Sequence, residues 1–178
     1  MLRPIQKLDL ELIFEWRNSP IVRNAMFSNN IISWEEHVSW FDSMTLDDTK
    51  LWFLYSDQNK TPHGVAYFTD IDLTQLSAFW GFYLRPNFEP GTGFLMLREV
   101  LDMAFNDLGL LKLNAYVLRS NLRSLKTHKR LGFIEPRVKE RVTMAFASRN
   151  EAVRLVLSKS QWLSVEMSEN AKLGNCLK

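Results

Sequence analysis

One segment combines an asparagine, a histidine and a glycine stop: Asn121-Leu-Arg-Ser-Leu-Lys-Thr-His128-Lys-Arg-Leu-Gly132-Phe133. Asn121 suits the cap of a short helix, and His128 then lies near that helix's end. An imidazole with an unperturbed pKa near 6.5 changes charge close to neutral pH, so His128 could exchange a proton there. The alternative is a solvated histidine beside Lys126, Lys129 and Arg130. Upstream, Pro90-Gly91-Thr92-Gly93 separates a strand-like run from a helical one. Free N–H groups from Glu89 to Phe94, together with the helix dipole, favour an anion such as a pyrophosphate there. Glycine at 91 and 93 permits close approach and positive φ. A Gly-X-Gly is also common in plain turns, so the motif depends on its context. His37 follows a Ser33-Trp-Glu-Glu36 capping box beside Trp40 and could orient or deprotonate a bound group, directly or through water; a helix-surface residue is the alternative. His63, in a Pro-His-Gly turn, is read as non-functional, and Cys176 has no second cysteine to pair with.

These residues need elements to position them. Leu2 to Ile5 reads as a strand, and Asp9 caps a helical stripe of Leu10, Leu12, Ile13 and Trp16 that stops near Pro20. A further helix covers part of Ile21 to Phe27, and Ser33 opens another with Val38, Trp40, Phe41 and Met44. Lys50 to Ser56, Gly64 to Ile71 and Leu76 to Leu84 are strands. Helical periodicity runs from Thr92 towards Gly109; Leu111 to Leu118 is a strand, Asn121 to Arg130 a helix, and Val138 to Ala147 and Val153 to Leu157 are strands. Ser160 to Met167 adds a helical turn, and Ser168 to Lys178 is expected to fray. The predicted fold class is α/β, an α+β mixed sheet: a single domain over 1–165, with helices flanking a mostly antiparallel sheet, and a polar tail over 166–178.

Composition narrows the function. The 178 residues, 46% hydrophobic, suffice for one well-filled core. A net charge of +2 with mixed signs argues against nucleic acid. No run approaches the ~20 apolar residues of a membrane span, so a cytoplasmic protein is expected. No metal is called for.

The Asn121 to Phe133 segment and the Pro90 to Gly93 turn together resemble the acetyl-CoA half of the GNAT-type N-acetyltransferases. The resemblance implies a sheet splayed at the cofactor, with a bulge in the strand Phe79 to Leu84 whose backbone, at Phe82 and Leu84, bonds the pantetheine amides. It puts the diphosphate on Glu89, Pro90, Gly91, Thr92, Gly93 and Phe94, and lets Asn121 bond the pantetheine arm or simply cap its helix. Phe88 stands where relatives carry a basic residue or glutamine, which leaves the N–H nest to hold the diphosphate. His128 takes the place of a tyrosine that protonates the departing thiolate. The segments Glu15 to Pro20, Val22-Arg23, Met26-Phe27, Ile32 to His37, Trp40-Phe41 and Val153 to Trp162 resemble the bacterial N-acetyltransferases that act on UDP-4-amino-4,6-dideoxy-N-acetyl-β-L-altrosamine in the pathway to pseudaminic acid. That likeness implies acetyl-CoA as cosubstrate and a nucleotide-linked amino sugar as partner. Met26, Phe27 and Trp40 would meet the apolar sugar face and Arg17 and Arg23 the UDP diphosphate, while Trp16 and Phe41 are assigned to core. Homodimerisation, an N-terminal peptide acceptor and a non-catalytic acyl-CoA module stay open.

Overall fold

The computed structural model describes residues 1–136 and 152–176. Six strands form one sheet in the order β1-β2-β3-β4-β5-β6: β1 (Leu2–Pro4), β2 (Leu51–Ser56), β3 (Pro62–Asp72), β4 (Ser77–Leu84), β5 (Lys112–Leu118) and β6 (Ala152–Ser158). Every pairing is antiparallel except that of β4 with β5. The expected strand Val138 to Ala147 lies outside the described residues.

The two faces of the sheet carry different helices. Alternation along the strands turns Phe53, Ala66, Phe68 and Trp80 towards α4 (Thr92–Asp102), whose Met96, Leu97, Val100 and Leu101 are buried. A π turn, Met103–Asp107, ends that helix before Gly109 at φ 65°. Leu54, Val65 and Tyr83 face the other way, towards α1 (Leu10–Asn18), α2 (Pro20–Arg23) and α3 (Trp34–Thr45). Trp16 and Phe41 belong to this second core, as expected. The Ser33 capping box closes at both ends, with Ser33 N donating to Glu36 at 2.6 Å and Glu36 N to the Ser33 hydroxyl at 3.2 Å. Asp9, expected to cap α1, instead turns back: it accepts from both terminal nitrogens of Arg3 at 2.7 and 2.6 Å and from Gln6 N at 2.8 Å. A buried carboxylate gains more from a bidentate guanidinium than from one cap bond, and Arg3 supplies it.

Two further expectations change. Helix α6 (Lys159–Cys176) runs through the boundary placed at 165/166, so the tail expected to fray is helical to Cys176. The expected bulge in β4 is missing: β3 and β4 stay in register from Thr69↔Phe79 to Gly64↔Leu84, and the irregularity lies between Thr69 and Asp72, where Asp70 has φ 49°.

What positions the site is the short contact between β4 and β5. They pair only at Ser77↔Lys112, Ala78↔Leu113 and Phe79↔Asn114, with Asn114 Nδ2 donating to Ala78 O at 3.3 Å. Beyond Phe79 the strands diverge, β4 staying on β3 and β5 on β6. The sheet is therefore splayed in its middle. Among the described residues, no helix is long and apolar enough to cross a membrane.

Candidate active site

The splay opens into a cavity of about 490 Å³, lined on one side by β4 from Trp80 to Leu84 and on the other by β5 from Tyr116 to Leu118. Helix α5 (Leu122–Arg130) closes one end. Asn121 caps it, its side-chain oxygen accepting from Ser124 N at 3.0 Å. The capping role uses only the carbonyl of that amide, so the NH₂ of Asn121, at the cavity wall, can still donate.

His128 lines the cavity but is 3% exposed, packed between Trp80, Phe82 and Phe133 at ring-centroid distances of 5.5, 5.6 and 4.9 Å. Its Nδ1 lies 2.8 Å from the carbonyl oxygen of Ser124 and must donate to it, so Nδ1 carries the proton. Nε2 is buried with no hydrogen-bond partner among the described residues. Burial pushes the pKa down to about 4, opposed by the Ser124 bond. The imidazolium expected from sequence is therefore absent at neutral pH. The ring is neutral, and Nε2 offers a lone pair rather than a proton.

At the turn, Gly91 has φ 94°, and an added Cβ there would meet nothing within 4 Å. Thr92 N already donates to Glu89 O at 3.3 Å and Phe94 N to Gly91 O at 3.0 Å, which withdraws both from the expected anion nest. The N–H groups of Gly91 and Gly93 are left, and both residues line the cavity. Glu89, Pro90 and Thr92 do not. The Glu89 carboxylate is instead held by Arg85 at 3.2 Å and approaches His63 Nδ1 at 3.8 Å, while His63 Nε2 meets Asp57 at 2.9 Å. His63 thus anchors the turn from behind. Phe94 lines the cavity and lies under the Arg130 guanidinium at 4.0 Å, and Phe88 lies under Arg123 at 4.5 Å. Arg85, Arg123 and Arg130 all line the cavity. The basic group missing at 88 is replaced by Arg123 standing on that phenylalanine.

The other end is built by the second face. Met26 and Phe27 reach the cavity, as does Tyr67 of β3. Arg17, Arg23, His37 and Trp40 do not line it. Arg23 braces a loop, with Nε donating to Asn18 O at 3.0 Å and Nη1 to Asn29 O at 2.8 Å. Arg17 Nη2 donates to Ser28 O at 3.2 Å, and its Nη1 is buried without a partner among the described residues. His37, 2% exposed, donates from Nε2 to Leu10 O at 3.1 Å and ties α3 to α1; burial lowers its pKa. It stacks on Trp40 at 5.2 Å, Trp40 meets Trp52 at 4.7 Å, and Trp52 stacks on Tyr67 at 4.1 Å. The residues expected to touch an acceptor therefore form a ladder behind one that does line the cavity.

The fold has counterparts among known proteins. Residues 1–134 match the family model described as the acetyltransferase (GNAT) domain. The chain belongs to the GNAT acetyltransferases. It is an acetyl-CoA-dependent N-acetyltransferase. Among relatives, it is 33% identical over 125 residues to the acetyltransferase PseH of Campylobacter jejuni subsp. jejuni, covering 70% of this chain and 76% of that one. It is 24% identical over 136 residues to the spermidine N(1)-acetyltransferase of Vibrio cholerae, covering 75% and 78%. The fold superimposes on the crystal structure of spermidine N-acetyltransferase from Vibrio cholerae in complex with CoA and spermine with a TM-score of 0.77 at 23% identity, covering 92% of this chain and 97% of that one.

The chain's residues fit the cosubstrate of a GNAT enzyme. An anionic tail finds two free glycine N–H groups and three arginines, and an extended arm finds the unpaired edge of β4 beyond Phe79. No group of three His, Cys, Asp or Glu side chains among the described residues is placed to hold a metal ion. Sequence reading missed Tyr67, Arg85, Arg123 and Arg130. The spacing of Arg123 and Arg130, two helical turns apart on α5, was the available signal for the last two.

Proposed function

We propose that this enzyme acetylates the 4-amino group of a small UDP-linked 4-amino-4,6-dideoxy sugar. The observation that carries this reading is the lining of the acceptor end of the cavity: Met26, Phe27 and Tyr67 reach it and, among the described residues, no aspartate or glutamate does. A polyamine carries several positive charges and needs carboxylates to replace its hydration, so this lining opposes it. Acetyl-CoA is an anion, and Arg85, Arg123 and Arg130 attract it at the other end. Met26 and Phe27 supply an apolar surface for a deoxygenated sugar face. The likeness to PseH supports the same substrate class.

In this reading acetyl-CoA rests its diphosphate on the N–H groups of Gly91 and Gly93 and on the arginines, and its pantetheine arm on the backbone of Phe82 and Leu84 and the amide of Asn121. It supplies the acetyl group as a thioester. Nε2 of His128 accepts a hydrogen bond from an N–H or S–H group in the cavity.

The test is a panel of UDP-4-amino sugars, N-terminal peptides and spermidine with acetyl-CoA, followed by release of free thiol. A 4-amino nucleotide sugar should give the highest kcat/KM. Peptides or spermidine turned over at least as efficiently as every sugar nucleotide would overturn the assignment.

A further inference from the structure

A departing thiolate needs a proton, and His128 has none to give from Nε2 at neutral pH. The phenols left at the cavity are Tyr67, Tyr83 and Tyr116. Tyr67 stands directly opposite Gly81 in the β3–β4 register. A Cβ at 81 would overlap Cζ and Oη of Tyr67, so the missing side chain is what lets the phenol lie across β4. Gly81 sits two residues past the last β4–β5 pair, where the unpaired edge begins. Tyr67 therefore brings a hydroxyl to the mouth of the splay, where an arm running from the glycine turn along Leu84 and Phe82 would end.

Three features suit that hydroxyl to proton transfer. No hydrogen bond among the described residues uses it. Burial raises its pKa, so it is protonated at neutral pH, while the charge of Arg17 acts in the opposite direction and would favour a phenolate formed in passing. The ring is clamped between Gly81 and Trp52, itself held by Trp40 and His37, which limits the motion of Oη.

We propose that Tyr67 is the catalytic acid of this acetyltransferase, giving its phenolic proton to the sulfur. As the acceptor nitrogen bonds the acetyl carbon and the carbon–sulfur bond breaks, the electron pair goes to sulfur and the proton of Tyr67 Oη follows it. The nitrogen carries one surplus proton, which returns to the phenolate, so the enzyme ends unchanged. The idea rests on acetyl transfer from CoA and not on the identity of the acceptor.

Tyr67→Phe keeps the ring and the ladder and removes only the hydroxyl. Turnover should fall roughly 10²-fold or more in kcat, with the acetyl-CoA Kd changed less than about threefold. A second readout needs no acceptor: the ultraviolet absorbance of the CoA thiolate, titrated in the enzyme–CoA complex. A phenol donating to sulfur holds the bound thiol's pKa down, so Tyr67→Phe should raise it by about one unit, a tenfold change in thiolate fraction. Tyr83→Phe and Tyr116→Phe remove the other cavity phenols as rival donors, and Tyr55→Phe, outside the cavity, should leave both readouts unchanged. An unchanged thiol titration in folded Tyr67→Phe, or a loss that follows Tyr83 or Tyr116 instead, overturns the proposal. Failure of every sugar nucleotide as acceptor would refute the proposed substrate and leave the CoA titration to decide on Tyr67.

Discussion

At His128 a single hydrogen bond decides what the residue can do. Because Nδ1 is committed to Ser124 O and the ring is buried, protonation costs free energy in the folded state and not in the unfolded chain. The folded pKa of about 4 lies below the unfolded value near 6.5. Between those values the unfolded chain binds more protons, so stability is fully present above pH 6.5 and is lost as pH falls towards 4. The full span is worth roughly 3 kcal/mol by linkage. His37, whose pKa is also lowered by burial, adds to the slope with the same sign. Thermal unfolding from pH 7 to pH 4.5 should therefore show a falling Tm, and His128→Gln should flatten that fall. An identical pH slope in the variant would mean that His128 does not titrate as its burial implies. The sequence named this residue but not its protonation state, because three aromatic neighbours from β4 and the Leu-Gly-Phe stop decide that state and only the fold brings them together.

The elements that frame the cofactor end were largely legible, since strand, turn and helix follow one another in sequence. The bounds of β4, β5 and α5 agree with the apolar periodicities to within a residue or two, α4 starts at Thr92 as read but passes into the π turn at Met103, and Asn121 caps α5. What was not legible was the origin of the gap. A bulge in β4 was expected, and the structure opens the sheet by ending the β4–β5 ladder after three pairs. Where two strands part depends on the path each takes after the last pair, here Phe79↔Asn114, which no local pattern in either strand encodes. Gly91 shows how the turn can be tested. Its φ of 94° is strained for a branched residue, although a side chain would find open space. Gly91→Val should thus shift the backbone of the turn and its N–H groups without disturbing the core. We expect the acetyl-CoA Kd to rise at least tenfold, measured by calorimetry, with Tm lowered by only a few degrees. Unchanged affinity in the folded variant would remove the turn from the site.

Across the whole molecule, a net charge of +2 conceals an uneven distribution. The acids near the cavity pair with basic groups, Glu89 with Arg85 and Asp57 with His63, while Arg123 and Arg130 stand on aromatic rings at the cavity rim. Charge counting on the sequence could not reveal this, because α5 and the glycine turn become neighbours only when β4 and β5 part. The acceptor end was misread for a related reason. Arg17, Arg23, His37 and Trp40 were grouped by sequence pattern, yet the side chains that reach the cavity come from both faces of a sheet whose register no local pattern encodes. A positive wall makes a prediction that separates the acceptor classes without a structure of any complex. Raising ionic strength from about 0.1 to about 1 M shortens the screening length from ~10 to ~3 Å. Attraction of an anionic sugar nucleotide should weaken, so its kcat/KM should fall with salt while kcat stays nearly constant. Any residual turnover of spermidine should respond in the opposite direction, because screening relieves its repulsion from Arg85, Arg123 and Arg130. Arg123→Glu should reduce both slopes by removing one cation and adding an anion at the same rim. Salt slopes of equal sign for the two acceptors, unaltered by Arg123→Glu, would show that the arginine wall does not select the substrate.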